Sequence, residues 1–363
     1  MVISDKPAVI FILPVFLIFS NKLSFTGQFN SFINSSEGEK IITITGVGDI
    51  MPGSSYPSRR YLPPGDNPVD FLDEVAGILK ASDIAFGNLE GSFLDNGEPY
   101  KKCRDTTICY LFRIPEKYSA VLHYCGFDII SLANNHFGDF GAPGAVRTIA
   151  ILDSLGIRYA GPENTPFKIF EKDSVIYGFC AFAPTAGSLN LNNLEGAEAI
   201  VSMLENKCDI VIVSFHGGAE GADYERVPKT TETFYGENRG NVYEFAHRMI
   251  DCGADIVFGH GPHVTRAMEL YRDRLICYSL GNFFTYGRLN ISGPNGIAPV
   301  VTVKTDINGK FLSGTIVPVY QSPEGHVRQD PAKRAIKKLQ ELISLDFPDT
   351  ELVITDDGKI LHK

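Results

Sequence analysis

The chain has 363 residues, of which 44% are hydrophobic and 21% are charged. This composition excludes a largely disordered chain, a collagen-like repeat and a protein with many membrane spans. The formal net charge is −10, whereas a nucleic-acid-binding surface would be basic, so no nucleic-acid partner is expected.

The chain begins with an apolar run and continues with a polar stretch. Residues 8–19 read AVIFILPVFLIF, which is short for a membrane span and typical of a signal peptide. We therefore predict a signal peptide or short membrane anchor over residues 1–20 and a linker over residues 21–40. The protein is then exported to the cell envelope, either membrane-anchored or periplasmic or extracellular. The structural alternative is a buried helix or strand.

Export would permit disulfide bonds between some of the seven cysteines. Cys103 and Cys109, on either side of a polar stretch, are the only plausible local pair. The chain has no C-x-x-C spacing, so a thiolate zinc site is not expected.

Short apolar runs alternate with helical patterns through the middle of the chain. The apolar runs cover residues 41–48, 83–88, 128–134, 175–183, 209–215 and 255–260. The helical patterns cover residues 69–82, 145–156 and 241–253. This alternation predicts an α/β fold with a substantial parallel sheet. After His263 the pattern changes to antiparallel hairpins, so the sheets should be mixed.

The C-terminal segment has a different pattern from the rest. Residues 331–345 have the spacing of an amphipathic helix, and residues 351–362 resemble a hairpin with Asp-Gly at its turn. We therefore predict one main domain over residues 41–325 and a C-terminal helix and hairpin extension over residues 326–363.

Five of the apolar runs end in a polar cluster. The clusters are Gly48-Asp49, Asn88-Leu89-Glu90, Asn134-Asn135-His136, His216-Gly217-Gly218 and His260-Gly261-Pro262-His263. Ligands bind at the carboxyl ends of strands in open α/β sheets, so these side chains should converge on one site. Singly, each cluster has a structural alternative, such as a helix cap for Asp49 or a turn for the asparagines.

The converging side chains form a set of oxygen and imidazole ligands, which suits divalent Zn, Mn, Fe or Mg. The candidate ligands of one or two such ions are Asp49, Glu90, Asn135, His216, His260 and His263. Metals held this way acidify water and neutralise charge on a phosphoryl or acyl oxygen. His136 is the candidate catalytic residue, because it can protonate a leaving group beside the metals.

A polar stretch of 22 residues, 219–240, follows His216 and is long for a loop in a compact domain, which indicates function or disorder. Residues that could line the mouth of the site are Glu220, Glu225, Glu237 and Arg239. Asn88 and Asn282, each at the end of a strand pattern, are further candidates for contact with substrate. The chain lacks a P-loop and a G-x-S-x-G elbow, which disfavours a P-loop nucleotidase and a serine hydrolase.

The chain resembles the CapA family of capsule and poly-γ-glutamate biosynthesis proteins. The matching segments are GDIM (48–51), ASDIAFGNLEG (81–91), FRIPEKYSAVLHYCGFDIISLANNHFGDFG (112–141), VSFHGGAE (213–220), DCGADIVFGHGPHV (251–264) and LICYSLGNF (275–283). The resemblance implies a metallophosphatase-like α/β fold, a four-layer sandwich of two mixed β-sheets flanked by helices. It also places Asp49, Glu90, Asn135, His136, His216, His260 and His263 at metal-site or catalytic positions.

Two departures from the metallophosphatase pattern bear on this assignment. Such proteins usually begin with D-x-H, whereas Asp49 is followed by Ile50 and Met51. Their last motif is usually G-H-x-H, whereas His260 and His263 are one residue further apart. Either change can weaken one metal site or leave a pocket that binds without hydrolysing.

Three hypotheses about function follow. The first is a metal-dependent hydrolase of a phosphoester or of another bond in an envelope polymer. The second is a non-catalytic polymer-binding or export factor of a capsule synthase complex, and the third is an envelope scaffold. The expected partners are an anionic polymer or phosphoester substrate and membrane-bound polymer synthase subunits.

Overall fold

Two mixed β-sheets dominate the computed structural model of the protein. The structure describes residues 40–103 and 109–363. The predicted signal or anchor, and all but the last residue of the predicted linker, lie outside the described residues. No helix in the described part of the chain has the length and apolarity needed to span a bilayer.

The described chain alternates strands and helices, as the sequence pattern predicts. The strands are β1 (Ile42–Met51), β2 (Ile84–Leu89), β3 (Ser92–Phe93), β4 (Arg113–Ile114), β5 (Ile129–Ser131), β6 (Arg158–Ala160), β7 (Phe167–Lys172), β8 (Val175–Phe182), β9 (Ile210–His216), β10 (Glu232–Phe234), β11 (Glu237–Gly240), β12 (Ile256–His260), β13 (Met268–Tyr271), β14 (Arg274–Cys277), β15 (Asn282–Thr285), β16 (Ile297–Thr305), β17 (Phe311–Gln321), β18 (Val327–Gln329), β19 (Leu352–Ile354) and β20 (Lys359–His362). The α-helices are α1 (Asp73–Lys80), α2 (Ala120–Cys125), α3 (Gly141–Ser154), α4 (Leu194–Glu205), α5 (Val242–Asp251) and α6 (Arg334–Asp346).

Both large sheets combine a parallel centre with antiparallel strands. The larger sheet has the order β19-β20-β17-β16-β1-β2-β5-β6, and β15 and β18 pair with β1 and β17. Its strands β1, β2, β5 and β6 are parallel, whereas β16, β17 and β20 pair in antiparallel fashion. The smaller sheet has the order β13-β14-β12-β9-β8-β7, with its four central strands parallel. The continuous apolar runs form these parallel strands, because both of their faces are buried.

The two sheets pack face to face and carry helices on their outer faces. Phe86 of β2 stacks on Phe258 of β12, with ring centroids 5.0 Å apart, and meets Phe179 of β8 edge-on. Helices α1, α2 and α3 cover the larger sheet, and α4 and α5 cover the smaller one. This arrangement confirms the predicted α/β architecture of two mixed sheets flanked by helices.

The stretch after His216, predicted as a loop, contains a hairpin. Strands β10 and β11 pair in antiparallel fashion and turn at Tyr235 and Gly236, where φ is 48° and 80°. Two consecutive residues at positive φ are typical of a two-residue hairpin turn, which matches the twist of the strands. The strands themselves lack apolar alternation, so the sequence carried no strand signal there.

The C-terminal segment joins the larger sheet. The hairpin of β19 and β20 pairs with β17, and α6 packs against β16 and β17. The described residues therefore form one compact unit.

Candidate metal centre

The carboxyl ends of parallel strands from both sheets meet at one place. In the larger sheet, Asp49 lies near the end of β1, and Glu90 and His136 follow β2 and β5. In the smaller sheet, His216 and His260 end β9 and β12, which lie side by side. All five side chains are buried. The polar clusters that the sequence places at strand ends are thus neighbours in space.

A change of strand partner positions Asp49. β1 pairs with β16 over its first half and with β15 from Asp49 onward, and its register is irregular in between. At Gly48 a Cβ would lie 1.9 Å from the carbonyl oxygen of Gly281, so only glycine permits this approach. Beyond it, Asp49 Oδ2 accepts a hydrogen bond from His263 Nδ1 at 2.8 Å, and Oδ1 lies 3.4 Å from His260 Nδ1.

Asp49, Glu90 and His216 form a candidate metal triad. Each offers one ligand atom, and these atoms lie within 4.8 Å of one another. Glu90 Oε1 and both ring nitrogens of His216 and of His260 are buried without a hydrogen-bond partner among the described residues. Buried polar atoms normally have partners, so this group of unpaired ligand atoms fits a divalent cation. Carboxylate and imidazole ligands suit Zn, Mn, Fe or Mg.

Asn88 holds the two carboxylates at this spacing. Its Nδ2 donates to Asp49 Oδ1 at 2.8 Å and to Glu90 Oε2 at 2.6 Å. Its Oδ1 accepts from Asn134 Nδ2 at 3.1 Å, and Asn134 Oδ1 accepts from the backbone N–H of His136. The amide of Asn88 is therefore fully used in positioning the ligands, a role that its assignment as a substrate contact did not anticipate.

His136 is oriented by a carboxylate that the sequence prediction missed. Its Nδ1 donates to Asp139 Oδ2 at 2.9 Å, and the same oxygen accepts from the backbone N–H of Phe112. Nε2 points to the metal triad, 3.9 Å from Glu90 Oε1, and accepts from Asn135 Nδ2 at 3.3 Å. The available signal was the spacing of Asp139, three residues after His136, which puts both on one turn.

The loop after β12 accommodates the wide spacing of its two histidines. Gly261 has φ of 112° and His263 has φ of 57°, and the latter is a left-handed conformation that is uncommon outside glycine. Asn295 Nδ2 donates to the His263 carbonyl at 3.1 Å and holds the loop in this conformation. The extra residue therefore brings the His263 ring onto Asp49, and such backbone outliers cluster at functional sites.

The remaining predicted site residues surround the triad. Asn135 lines the cavity beside it, and its Oδ1 has no partner in the described chain. Asn282 pairs with Asp49 across β15 and β1, and its Nδ2 donates to the carbonyls of Asn290 and Asn295. The donors of Asn282 thus hold a loop behind the site.

A cavity of about 640 Å³ opens at His136, which lies between it and Glu90, and its wall also includes Asn135, Glu220, Glu237 and Arg239. Cys103 and Cys109, the plausible local pair in the sequence, form a disulfide at its rim.

One residue expected at this mouth lies elsewhere. Glu225 pairs with Lys338 of α6 at 3.1 Å, and this partly buried ion pair holds the carboxylate against the C-terminal helix.

The pKa values of the two carboxyl groups in the centre, Glu90 and Asp49, are shifted in opposite directions. Burial and the charge of Asp49 raise the pKa of Glu90 to about 8. Burial also acts to raise the pKa of Asp49, but the adjacent imidazoles of His260 and His263 outweigh it and hold the pKa well below its usual range. Burial opposes the charge on His263, yet the bond to Asp49 raises its pKa to about 9. Asp49 and His263 therefore form a buried ion pair.

The imidazoles of His216 and His136 are driven towards their neutral forms. Burial, followed by the charge of Arg239, holds the pKa of His216 well below its ordinary value. Burial also lowers the pKa of His136, against the opposing effect of Asp139. Neutral His216 offers a lone pair, which is the form that binds metal.

Residues 43–286 match the family model described as bacterial capsule synthesis protein PGA_cap. The match covers more than half of the chain and includes every candidate ligand. The chain belongs to this capsule synthesis family. Membership confirms the resemblance to CapA proteins that the sequence motifs indicated.

Named relatives of this chain include two Bacillus proteins. Capsule biosynthesis protein CapA of Bacillus anthracis is 31% identical over 274 residues, which cover 69% of this chain and 61% of that protein. PGA biosynthesis protein CapA of Bacillus subtilis (strain 168) is 28% identical over 263 residues, which cover 68% and 63%. The chain thus spans less than two thirds of the length of these relatives.

Among solved structures, the chain is similar to a 5'-nucleotidase precursor from Thermus thermophilus. The TM-score is 0.43 and the sequence identity 11%, and the match covers 84% of this chain and 59% of that one. Similarity at this level is too distant to transfer an activity.

Proposed function

We propose that the chain is a metal-dependent hydrolase of a capsule synthesis system, acting on a phosphoester or another bond in an envelope polymer. The triad of Asp49, Glu90 and His216 carries this proposal, because its buried ligand atoms lie within 4.8 Å of one another. A cavity large enough for part of a polymer chain opens beside it. The names of the two Bacillus relatives support a role in capsule or polymer synthesis.

The triad and the residues beside it would bind the metal ions needed for hydrolysis. Asp49, Glu90 and His216 would hold one ion, while His260 and His263, beside Asp49, and Asn135, beside His136, are candidate ligands of a second. A divalent ion bound there supplies Lewis acidity and a water of lowered pKa.

Proton transfer falls to His136. Asp139 fixes the ring through Nδ1 and stabilises the imidazolium, while Nε2 faces the metal triad and the cavity. Nε2 carries no proton while it accepts from Asn135 Nδ2, so it would first take one from the attacking water and then pass it to a leaving-group oxygen that takes the place of the Asn135 amide.

We also propose where the protein acts and which partners it has. The apolar run at residues 8–19 supports export, with the protein membrane-anchored or free outside the membrane. The substrate is then an anionic polymer or a phosphoester, and the partners are membrane-bound polymer synthase subunits.

Metal content and hydrolysis test this proposal together. The full chain loaded with Mn or Zn should retain metal through gel filtration and cleave bis(p-nitrophenyl) phosphate or p-nitrophenyl phosphate. His136→Ala should keep the metal and lose the hydrolysis. His123→Ala, on the exposed side of α2, is the matched control and should keep both. Absence of bound metal by elemental analysis would contradict the proposal.

A second candidate is a non-catalytic polymer-binding or export factor. It is favoured by the engagement of Asp49 with His263 and by the buried Ile50 and Met51 where D-x-H proteins carry a ligand. This candidate predicts polymer binding that survives His136→Ala and no hydrolysis by the wild-type chain.

A further inference from the structure

Arg239 is a buried cation at the wall of the cavity. It lies in β11, and only 2% of its side chain is exposed. Its Nε donates to the carbonyl of Gly218 at 3.0 Å, and its Nη1 lies 3.9 Å from Glu237 Oε2. The bond from Nε fixes the guanidinium plane, and 3.9 Å is too long for a hydrogen bond, so Nη1 and Nη2 both remain as donors within the described chain.

Nη2 has a nearby charge but no hydrogen-bond acceptor. Glu220 Oε1 lies 3.0 Å from it, yet off the direction of its N–H bonds, so the contact is an ion pair without a hydrogen bond within the described chain. A buried donor left without an acceptor is costly, and the cost is larger for a charged group. Arg239 therefore presents an unsatisfied N–H beside the cavity that it lines.

The loops that carry the metal ligands also hold this guanidinium. Gly218 follows His216, and a Cβ at Gly261, which follows His260, would lie only 3.3 Å from Nη2. His136 lines the same cavity. A group bound to Arg239 would thus lie close to both the triad and the proposed proton donor.

We infer that Arg239 is an oxyanion-binding subsite for a carboxylate or phosphate of the substrate, and that Glu220 occupies it in the free protein. The planar guanidinium binds either oxyanion through two parallel N–H bonds, which a single off-axis carboxylate oxygen does not reproduce. Glu220 is 24% exposed and can leave towards solvent. That the oxyanion belongs to a substrate rests on the proposed function, but its binding can be measured without turnover.

Anion titration of the full chain in EDTA tests the subsite, because phosphate then has no metal to bind. Inorganic phosphate and glutarate are the probes, followed by calorimetry. Glu220→Gln removes the competing charge and should tighten binding several-fold. Arg239→Gln should weaken it roughly tenfold or more, as expected for loss of hydrogen bonds to a charged group.

The ion pair of Arg248 and Glu198, between α5 and α4, provides matched controls. Arg248→Gln and Glu198→Gln make the same chemical changes away from the cavity and should leave both affinities unchanged. Tighter binding of phosphate identifies a phosphoester as the source, and tighter binding of glutarate identifies a polymer of carboxylates. Either result supports the subsite.

Unchanged anion affinity in Glu220→Gln would overturn the inference, and that variant stays informative if Arg239→Gln fails to fold. Arg239-dependent anion binding in a chain that holds no metal and hydrolyses nothing would refute the proposed function and leave the subsite standing. Metal-dependent hydrolysis that neither Glu220→Gln nor Arg239→Gln changes would refute the subsite and leave the proposed function standing.

Discussion

The amide of Asn88 shows how one residue sets the geometry of the centre. Its two N–H bonds reach one oxygen of Asp49 and one of Glu90, at 2.8 and 2.6 Å. Two buried carboxylates repel each other, and the amide is the neutral group that keeps them together before a cation arrives. Loss of a residue that supports metal ligands in this way typically lowers metal affinity by about 10–100-fold.

Replacing Asn88 should therefore weaken metal binding. In Asn88→Ala the carboxylates lose their shared donor, and the affinity for Zn or Mn should fall about 10–100-fold, as for other losses of support to metal ligands. Competition titration with a chelating dye measures this. Asn206→Ala, at the exposed end of α4, removes an amide of the same size and should change nothing. Equal affinities in the two variants would refute the role given to Asn88.

Asp139 offers a test of His136 as a proton donor. Asp139→Asn keeps the shape of the contact but removes the charge that stabilises the imidazolium, so kcat should fall by a factor on the order of 10²–10⁴. The metal content should stay the same, because Asp139 lies behind His136 rather than at the triad. Steady-state kinetics with metal analysis separates the two effects, and full activity in this variant would refute the role given to Asp139 in stabilising the imidazolium of His136.

The shifted pKa values predict how stability depends on pH without metal. Above pH 6.5 the folded chain retains protons on His263, whose pKa is about 9, and on Glu90, whose pKa is about 8. The unfolded chain has released both, so the folded state binds more protons and stability falls as pH rises. The stabilisation from His263 is complete below pH 6.5 and is lost through pH 9, and the penalty on ionised Glu90 grows until pH 8.

Thermal unfolding in EDTA from pH 6.5 to 9 should show this fall in Tm. His263→Gln should flatten the fall. Added Mn should raise Tm by an increment that grows over the same range, because metal replaces the protons on its ligands. A Tm that rises with pH in EDTA would show that the protonation states assigned to the centre are wrong.

At the level of elements, close contact between strands places the ligands. Gly48 lies against the backbone of Gly281 where β1 exchanges its partner strand, and the next residue, Asp49, contacts His260 at the end of β12. The position of Asp49 thus depends on the absence of a side chain at Gly48.

Gly48→Ala should therefore destabilise the fold by at least about 2 kcal/mol, because its Cβ would overlap a carbonyl oxygen in a packed core. Gly77→Ala is the matched control in the exposed face of α1, where the described chain leaves the new Cβ open space. It should stabilise the helix by about 0.5–1 kcal/mol. Denaturant unfolding measures both, and a loss of stability under about 0.5 kcal/mol in Gly48→Ala would count against the packing described here.

The parallel strands could be predicted because their apolar runs are continuous, as at residues 209–215 and 255–260. The hairpin of β10 and β11 could not, because its strands carry polar residues on both faces. The expected meeting of the strand-end clusters follows from parallel strands sharing a carboxyl edge. The sequence does not show which residues of these clusters bind metal and which position other side chains. Asn134 and Asp139, for example, act only by orienting other side chains, and their spacing does not reveal this role.

At the scale of the whole molecule, the metal centre depends on how the two sheets pack against each other. The larger sheet contributes the carboxylates and the smaller one contributes His216 and His260, so neither sheet contains a complete site. The stacking of Phe86 on Phe258 between the sheets keeps these two ligand sets at a fixed distance. Metal binding should consequently stabilise the packing of the sheets as well as supply chemistry.

The most direct test of the metal centre is a zinc anomalous difference map from crystals of the full chain. The triad predicts a peak bonded to Asp49, Glu90 and His216, at roughly 2.0–2.2 Å from one atom of each. A map with no peak there, from crystals that bind zinc elsewhere on the protein, would contradict the account.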